Sequence, residues 1–178
     1  MSNLKRVFIA IPISQQLQSE VLNWVEQSSL KNESAIRWLS GKNLHITLVP
    51  PWETDRVDEI VEKLLTIKHQ SFSEHCTSIS FGPNEKDPRL VWATGNASHF
   101  IQDLRLKIYK ALNRQINSRS FNLHMTLGRF RPEAFSHFEI KTLHEKINWE
   151  LNVSSFVLMQ SHLYKTGAEY KALQEFNV

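Results

Sequence analysis

Apolar residues along the chain fall into two rhythms. Val7-Phe8-Ile9-Ala10-Ile11 is a short, wholly apolar run, the pattern of a central strand. Ser14 follows as a cap, and Leu17, Val21, Trp24 and Val25 then recur at helical spacing. Ile36–Leu39 predicts a strand, Gly41-Lys42 a turn, and Leu44–Val49 a second strand that Pro50-Pro51 should stop, since proline cannot donate to a ladder. A second helix is expected from a Thr54 or Asp55 cap, with Val57, Ile60, Val61, Leu64 and Leu65 as its stripe. Ile79–Phe81 and Leu90–Thr94 read as strands. Residues from Ser98 to about Asn117 read as a helix with Ile101, Leu104, Ile108, Ala111 and Leu112 inward. Phe121–Phe130 is a further strand, Phe135–Ile147 is weakly helical, and Phe156–Leu163 and Ala172–Phe176 are closing strands.

Within this alternation lies a repeat. Asn43-Leu44-His45-Ile46-Thr47-Leu48 matches Asn122-Leu123-His124-Met125-Thr126-Leu127 at five of six positions. The offset, 124 − 45 = 79 residues, is close to half of the 178-residue chain. Each copy follows a strand–helix–strand pattern, so two related halves facing a shared groove are expected. No linker divides them, and residues 1–178 read as a single domain.

Strand geometry assigns these side chains to faces. Residues two apart share a face, so His45 joins Thr47 and His124 joins Thr126, with the apolar residues opposite. A packing repeat would keep the apolar face and need not keep His and Thr on the other. Two opposed imidazoles suit acid–base work on a phosphodiester, because an unperturbed imidazole has a pKa near 6.5. A threonine hydroxyl from each side can donate to a phosphate oxygen.

Composition narrows the alternatives. Apolar residues at 41% and charged residues at 22% exclude a disordered or fibrous chain. The formal charge of +3 permits a polyanionic partner without demanding one. One cysteine, Cys76, excludes an internal disulfide and a cysteine-based zinc site, and it reads as a half-buried packing residue. The other six histidines show no metal-ligand spacing, and there is no glycine-rich phosphate loop, so no metal and no cofactor are expected. Lys5-Arg6 with the following apolar run imitates a short signal peptide, but Pro12 breaks the run and no small-residue cleavage site follows. A cytoplasmic monomer with no membrane association is expected.

The two tetrads His45-Ile46-Thr47-Leu48 and His124-Met125-Thr126-Leu127 resemble the hallmark of the two-histidine (2H) phosphoesterases. Within them the chain is similar to the RNA 2',3'-cyclic phosphodiesterases, also called LigT-like or 2'-5' RNA ligases. The likeness includes Arg6–Ile11, Pro88–Ala93, Gln160–Leu163 and Gly167–Tyr170. It implies an α+β fold with two pseudo-symmetric lobes, antiparallel sheets flanking a central cleft, and helices outside. It implies metal-independent hydrolysis of 2',3'-cyclic phosphates on RNA ends or nucleotides to 2'-phosphates, with 2'-5' joining as the reverse. It also implies His45 as proton donor, His124 as proton acceptor and Arg129 as a phosphate contact. Strand parity points Arg129 away from the histidines unless a bulge at Gly128 resets it. Phe8, Trp52 and Phe130 are the aromatic candidates for stacking a base. Val49-Pro50-Pro51-Trp52 departs from the apolar and glycine residues usual after the first tetrad, which leaves the substrate open. The alternatives are another small substrate, such as a 2',5'-oligoadenylate or a cyclic ADP-ribose phosphate, and a module that binds nucleotides or RNA without turnover.

Overall fold

The computed structural model describes residues 4–84, 86–116, 121–164 and 167–177. Its strands are β1 (Lys5–Pro12), β2 (Arg37–Trp38), β3 (His45–Thr54), β4 (Phe72–Gly82), β5 (Leu90–Gly95), β6 (Leu123–Arg129), β7 (His144–Val153), β8 (Ser155–Tyr164) and β9 (Gly167–Asn177). Its helices are α1 (Gln15–Gln27), α2 (Val57–Leu65) and α3 (His99–Ala111). The described strands form an antiparallel sheet in the order β7-β4-β5-β6-β3-β1-β8-β9, with β2 on β6. The fold is thus α+β, as expected.

The sheet divides at its middle into two four-stranded halves joined through the pair Ile46↔Met125. Those residues are themselves equivalent in the repeat, since 125 − 46 = 79. A local two-fold axis therefore passes between the two copies of the motif. The segments β1–α1–β3 and β5–α3–β6 are the repeated strand–helix–strand units.

The halves are not separable, because the helices cross over. In α1 the Trp24 indole donates to Glu145 of β7 at 2.6 Å and packs edge-on against Trp149. In α3 the Arg105 Nε donates to the Leu48 carbonyl of β3 at 3.0 Å. These two helices thus each reach the half they do not follow in sequence. Val7, Ile9, Leu48, Ile79, Val91 and Met125 accordingly belong to one buried cluster, and each such side chain contributes roughly 1.5–3 kcal/mol of burial.

Local signals explain most of the helix boundaries. Ser14 caps α1 by accepting from Leu17 N–H, and Ser98 caps α3 by accepting from Phe100 and Ile101 N–H. The α3 helix stops at Ala111, and Asn113 takes the left-handed conformation just beyond it (φ 52°). The expected end at Asn117 lies outside the described residues. In α2 no side chain caps the first turn, Thr54 Oγ1 instead accepts from Arg56 N–H, and Leu65 is exposed rather than part of the stripe. None of the described helices is long and apolar enough to cross a membrane.

Two strand expectations need correction. Pro50-Pro51 does not end β3, which runs on to Thr54. The ladder pairs Ile9 with Val49 and Val7 with Trp52, so both prolines face Phe8 alone in a register shift, where no N–H is required. The weakly helical stretch Phe135–Ile147 begins as a short 3-10 turn within Pro132–His137, and from His144 it is strand β7. From Ile147 onward β7 alternates, with Trp149, Leu151 and Val153 buried.

Candidate active site

Both catalytic candidates of each copy lie on the same side of the sheet, beside the junction. By the register of Ile46↔Met125, His45 comes opposite Thr126 and Thr47 opposite His124. Each imidazole is anchored to its own chain. His45 Nδ1–H donates to the Asn43 carbonyl at 2.7 Å, and His124 Nδ1–H to the Asn122 carbonyl at 2.9 Å. A carbonyl only accepts, so the Nδ1 proton is fixed and each neutral ring keeps Nε2 as its free base. The asparagine of the repeated frame thus acts through its backbone, setting the tautomer.

Matched bulges in the two copies re-aim the residues beyond them. In β3, Thr47 pairs with Ala10 and Val49 with Ile9, leaving Leu48 extra. In β6, Thr126 pairs with Trp92 and Gly128 with Val91, leaving Leu127 extra. Parity flips at each bulge. Arg129 thereby returns to the face of His124, which the regular strand would have denied it. Gly128 itself is pressed beneath Ile36 and Trp38, where a Cβ would come within 2.7 Å of Ile36.

A cavity of about 490 Å³ opens over this face. His45, Thr47 and Arg129 line it together with Arg6, Arg37, Phe8 and Tyr170. No carboxylate among the described residues lines it, and the guanidiniums of Arg6, Arg37 and Arg129 give it a basic lining. Phe8 is fully buried and lies 5.1 Å from the His45 ring, and Tyr170 meets both rings edge-on at 5.0 Å. Phe8 is therefore the wall that fixes His45, with no face left to stack a base.

Two other aromatic candidates lie elsewhere. Phe130 is buried in a cluster with Phe81, Phe135 and Phe138, outside the cavity lining. Trp52 pairs with Val7 on the opposite face of the sheet, under the Arg114 guanidinium at 4.6 Å. Cys76 is fully buried rather than half-buried, and burial, then the Glu74 charge, push its thiol up to about 12, which removes it as a nucleophile. Among the described residues no three His, Cys, Asp or Glu side chains gather as a metal set.

Sequence reasoning missed Tyr170, Arg6, Arg37 and Trp92. Arg37 reaches the cavity because β2 pairs with β6 at Arg129, and its guanidinium lies over Gly167. A Cβ there would come within 2.8 Å of Nη1, and φ of +135° also demands glycine. Trp92 stands beside His124, ring centroids 5.2 Å apart, its Nε1 donating to Ser80. Arg6, Trp92 and Tyr170 lie in stretches that carry the family likeness, but nothing local in those stretches assigns them to the site. Only long-range pairing brings them in.

Burial lowers the His45 pKa to about 4, opposed by the Asn43 hydrogen bond and aided by the charges of Arg129 and His124. The folded value lies below the unfolded 6.5, so this contribution to stability is present above pH 6.5 and is lost as pH falls to 4. The loss should amount to roughly 2–3 kcal/mol. Urea unfolding at pH 7 and pH 4 will measure it, and His45→Ala should flatten the difference. An unchanged pH dependence in that variant would refute the assignment.

Comparison with known proteins bears on the fold and the family. The solved structure of E. coli LigT in complex with 3'-AMP superposes with a TM-score of 0.77 at 19% identity, covering 99% of each chain. The apo form of that protein gives 0.76 at 20% identity, covering 98% of this chain and 97% of the other. The fold is therefore that of the 2H phosphoesterases. The family model described as the 2'-5' RNA ligase superfamily matches residues 16–165, and the chain belongs to that superfamily. Among its relatives is an RNA 2',3'-cyclic phosphodiesterase of Aeropyrum pernix, 29% identical over 149 residues, 79% of this chain and 85% of the relative. Another of the same name, from Methanocaldococcus jannaschii, is 25% identical over 183 residues, 96% of this chain and 99% of the relative.

Proposed function

We propose that this protein is a metal-independent phosphodiesterase that opens 2',3'-cyclic phosphates of RNA ends or nucleotides to 2'-phosphates. The observation that carries the reading is the pair of imidazoles, one from each half, each with Nδ1 tied to a backbone carbonyl and Nε2 left free. The names of the two archaeal relatives support the substrate class.

Water attacks phosphorus in line with the 3'-oxygen. One imidazole takes the proton of that water, the P–O3' bond breaks, and the other imidazole protonates the departing oxygen. The 2'-oxygen keeps the phosphate. Thr47, Thr126 and Arg129 hold the non-bridging oxygens as charge develops. With a 5'-hydroxyl in place of water, the same groups would form a 2'-5' phosphodiester as the P–O3' bond breaks.

Hydrolysis of a 2',3'-cyclic mononucleotide, with the product isomer identified, tests the reading. The product should be the 2'-phosphate, and excess chelator should leave the rate unchanged. Loss of activity in chelator with recovery on adding a divalent ion would sink the mechanism. Absence of turnover with ligand still bound would favour a binding module.

A further inference from the structure

The concave face of the second half is unlike that of the first. Register carries two rows across its four strands. One row runs Thr126↔Trp92↔Ser80↔His144 and the other His124↔Thr94↔Ser78↔Lys146. Residues directly opposite in a sheet share a face, so both rows start at the reacting groups and end on the edge strand β7. Hydrogen bonds link the middle positions. Trp92 Nε1 donates to Ser80 Oγ at 3.0 Å, and the Ser78 and Thr94 hydroxyls are 2.9 Å apart. The rows become wetter outward, from half-buried Ser78, Ser80, Trp92 and Thr94 to exposed His144 and Lys146. Neither row contains a carboxylate. The α1 helix meets the other face of β7 through Trp24 and Glu145, while His144 and Lys146 on this face are exposed.

The equivalent row in the first half runs Thr47↔Ala10↔Val157↔Glu175. It is apolar in the middle and acidic at the edge. The fold therefore does not require a row of hydroxyls, an indole and two basic groups, and its presence in one half alone calls for a ligand. Three interstrand steps of about 4.8 Å place the β7 pair about 14 Å from the reacting strand. That reach suits an oligonucleotide rather than a single nucleotide.

We infer that the β6–β5–β4–β7 face is a binding track for the RNA strand leading to the cyclic phosphate. Trp92 offers a stacking surface, the serine and threonine hydroxyls donate along the strand, and Lys146 with His144 meets a backbone phosphate upstream. This rests on the phosphodiesterase reading and narrows its substrate from nucleotides to RNA ends.

The test compares kcat/KM for a 2',3'-cyclic mononucleotide and for an RNA tetranucleotide ending in the same group. The wild-type chain should prefer the tetranucleotide by about 10-fold or more, a gain of the size a base stack or a phosphate contact supplies. Replacing both edge residues (Lys146→Ala with His144→Gln) should remove most of that preference and leave mononucleotide turnover unchanged, which also verifies the fold. Lys146→Arg should retain it. In the double variant the dependence of log kcat/KM on log salt for the tetranucleotide should become shallower by about 0.7 per phosphate left without a cation. No length preference in the wild type, or an equal fall on both substrates in the double variant, overturns the track and leaves the reaction standing. Turnover of neither substrate by the wild type removes the reaction and the track together.

Discussion

His45→Ala and His124→Ala should each lower turnover of a 2',3'-cyclic phosphate about 10²–10⁴-fold, with the fold retained. The expectation comes from geometry. Each imidazole is fixed through Nδ1 to a carbonyl two residues back, and alanine leaves that anchor without a substitute proton carrier. The junction itself is made by Ile46 and Met125 on the other face, so loss of either ring leaves it in place, although His45 also packs against Phe8 and Tyr170. Thr47→Ala and Thr126→Ala each remove one donor to the phosphate and should cost less. The measurement is kcat at saturating substrate, with thermal melting as the check on folding. Near-normal turnover in a histidine variant would exclude that residue from the pair.

The two tetrads were legible because their chemistry is local and occurs twice. Period two places His and Thr together, and the repeat makes the coincidence informative. The β6 bulge is legible only through the resemblance, which gives Arg129 a phosphate contact that strand parity denies; the extra residue is Leu127, next to the expected Gly128. The rest depends on contacts distant in sequence. Nothing near Tyr170 tells that β9 will pair with β8 and set its ring against His45. Nothing near Trp24 tells that α1 will cross to β7. Phe130 failed as a stacking residue because Phe81, Phe135 and Phe138 surround it, and a single strand's pattern does not show its partners. Strand β7 was obscured because its first positions, His144-Glu145-Lys146, carry no apolar residue, and its alternation starts only at Ile147.

The two histidines should divide acid and base unequally, and a substrate with sulfur in place of the 3'-oxygen will show which is which. A thiolate leaves with little help from an acid, so this substrate should rescue only the variant that lacks the acid. If His45 is the donor, as the family resemblance implies, the thio substrate should largely restore His45→Ala while His124→Ala stays slow. The environment of His45 bears on this directly. With its pKa lowered to about 4, His45 is neutral in the free protein at pH 7, which is the state of a base. An acid role therefore requires the negative phosphate to raise that pKa on binding, by attraction opposing the desolvation and the Arg129 charge. The pH profile of kcat/KM alone does not resolve the matter. A pair that holds one proton gives the same bell whichever member carries it, and its limbs belong to the pair. The profile should still place its acidic limb near 4 rather than near 6.5, because a second proton on the pair is resisted by the burial of His45 and by the charges beside it. Sulfur substitution breaks the symmetry by removing the need for one role only. Rescue of His124→Ala instead would assign His45 as the base, in keeping with its buried, neutral ring. Rescue of neither would show that the two residues do not share the proton transfers in this way.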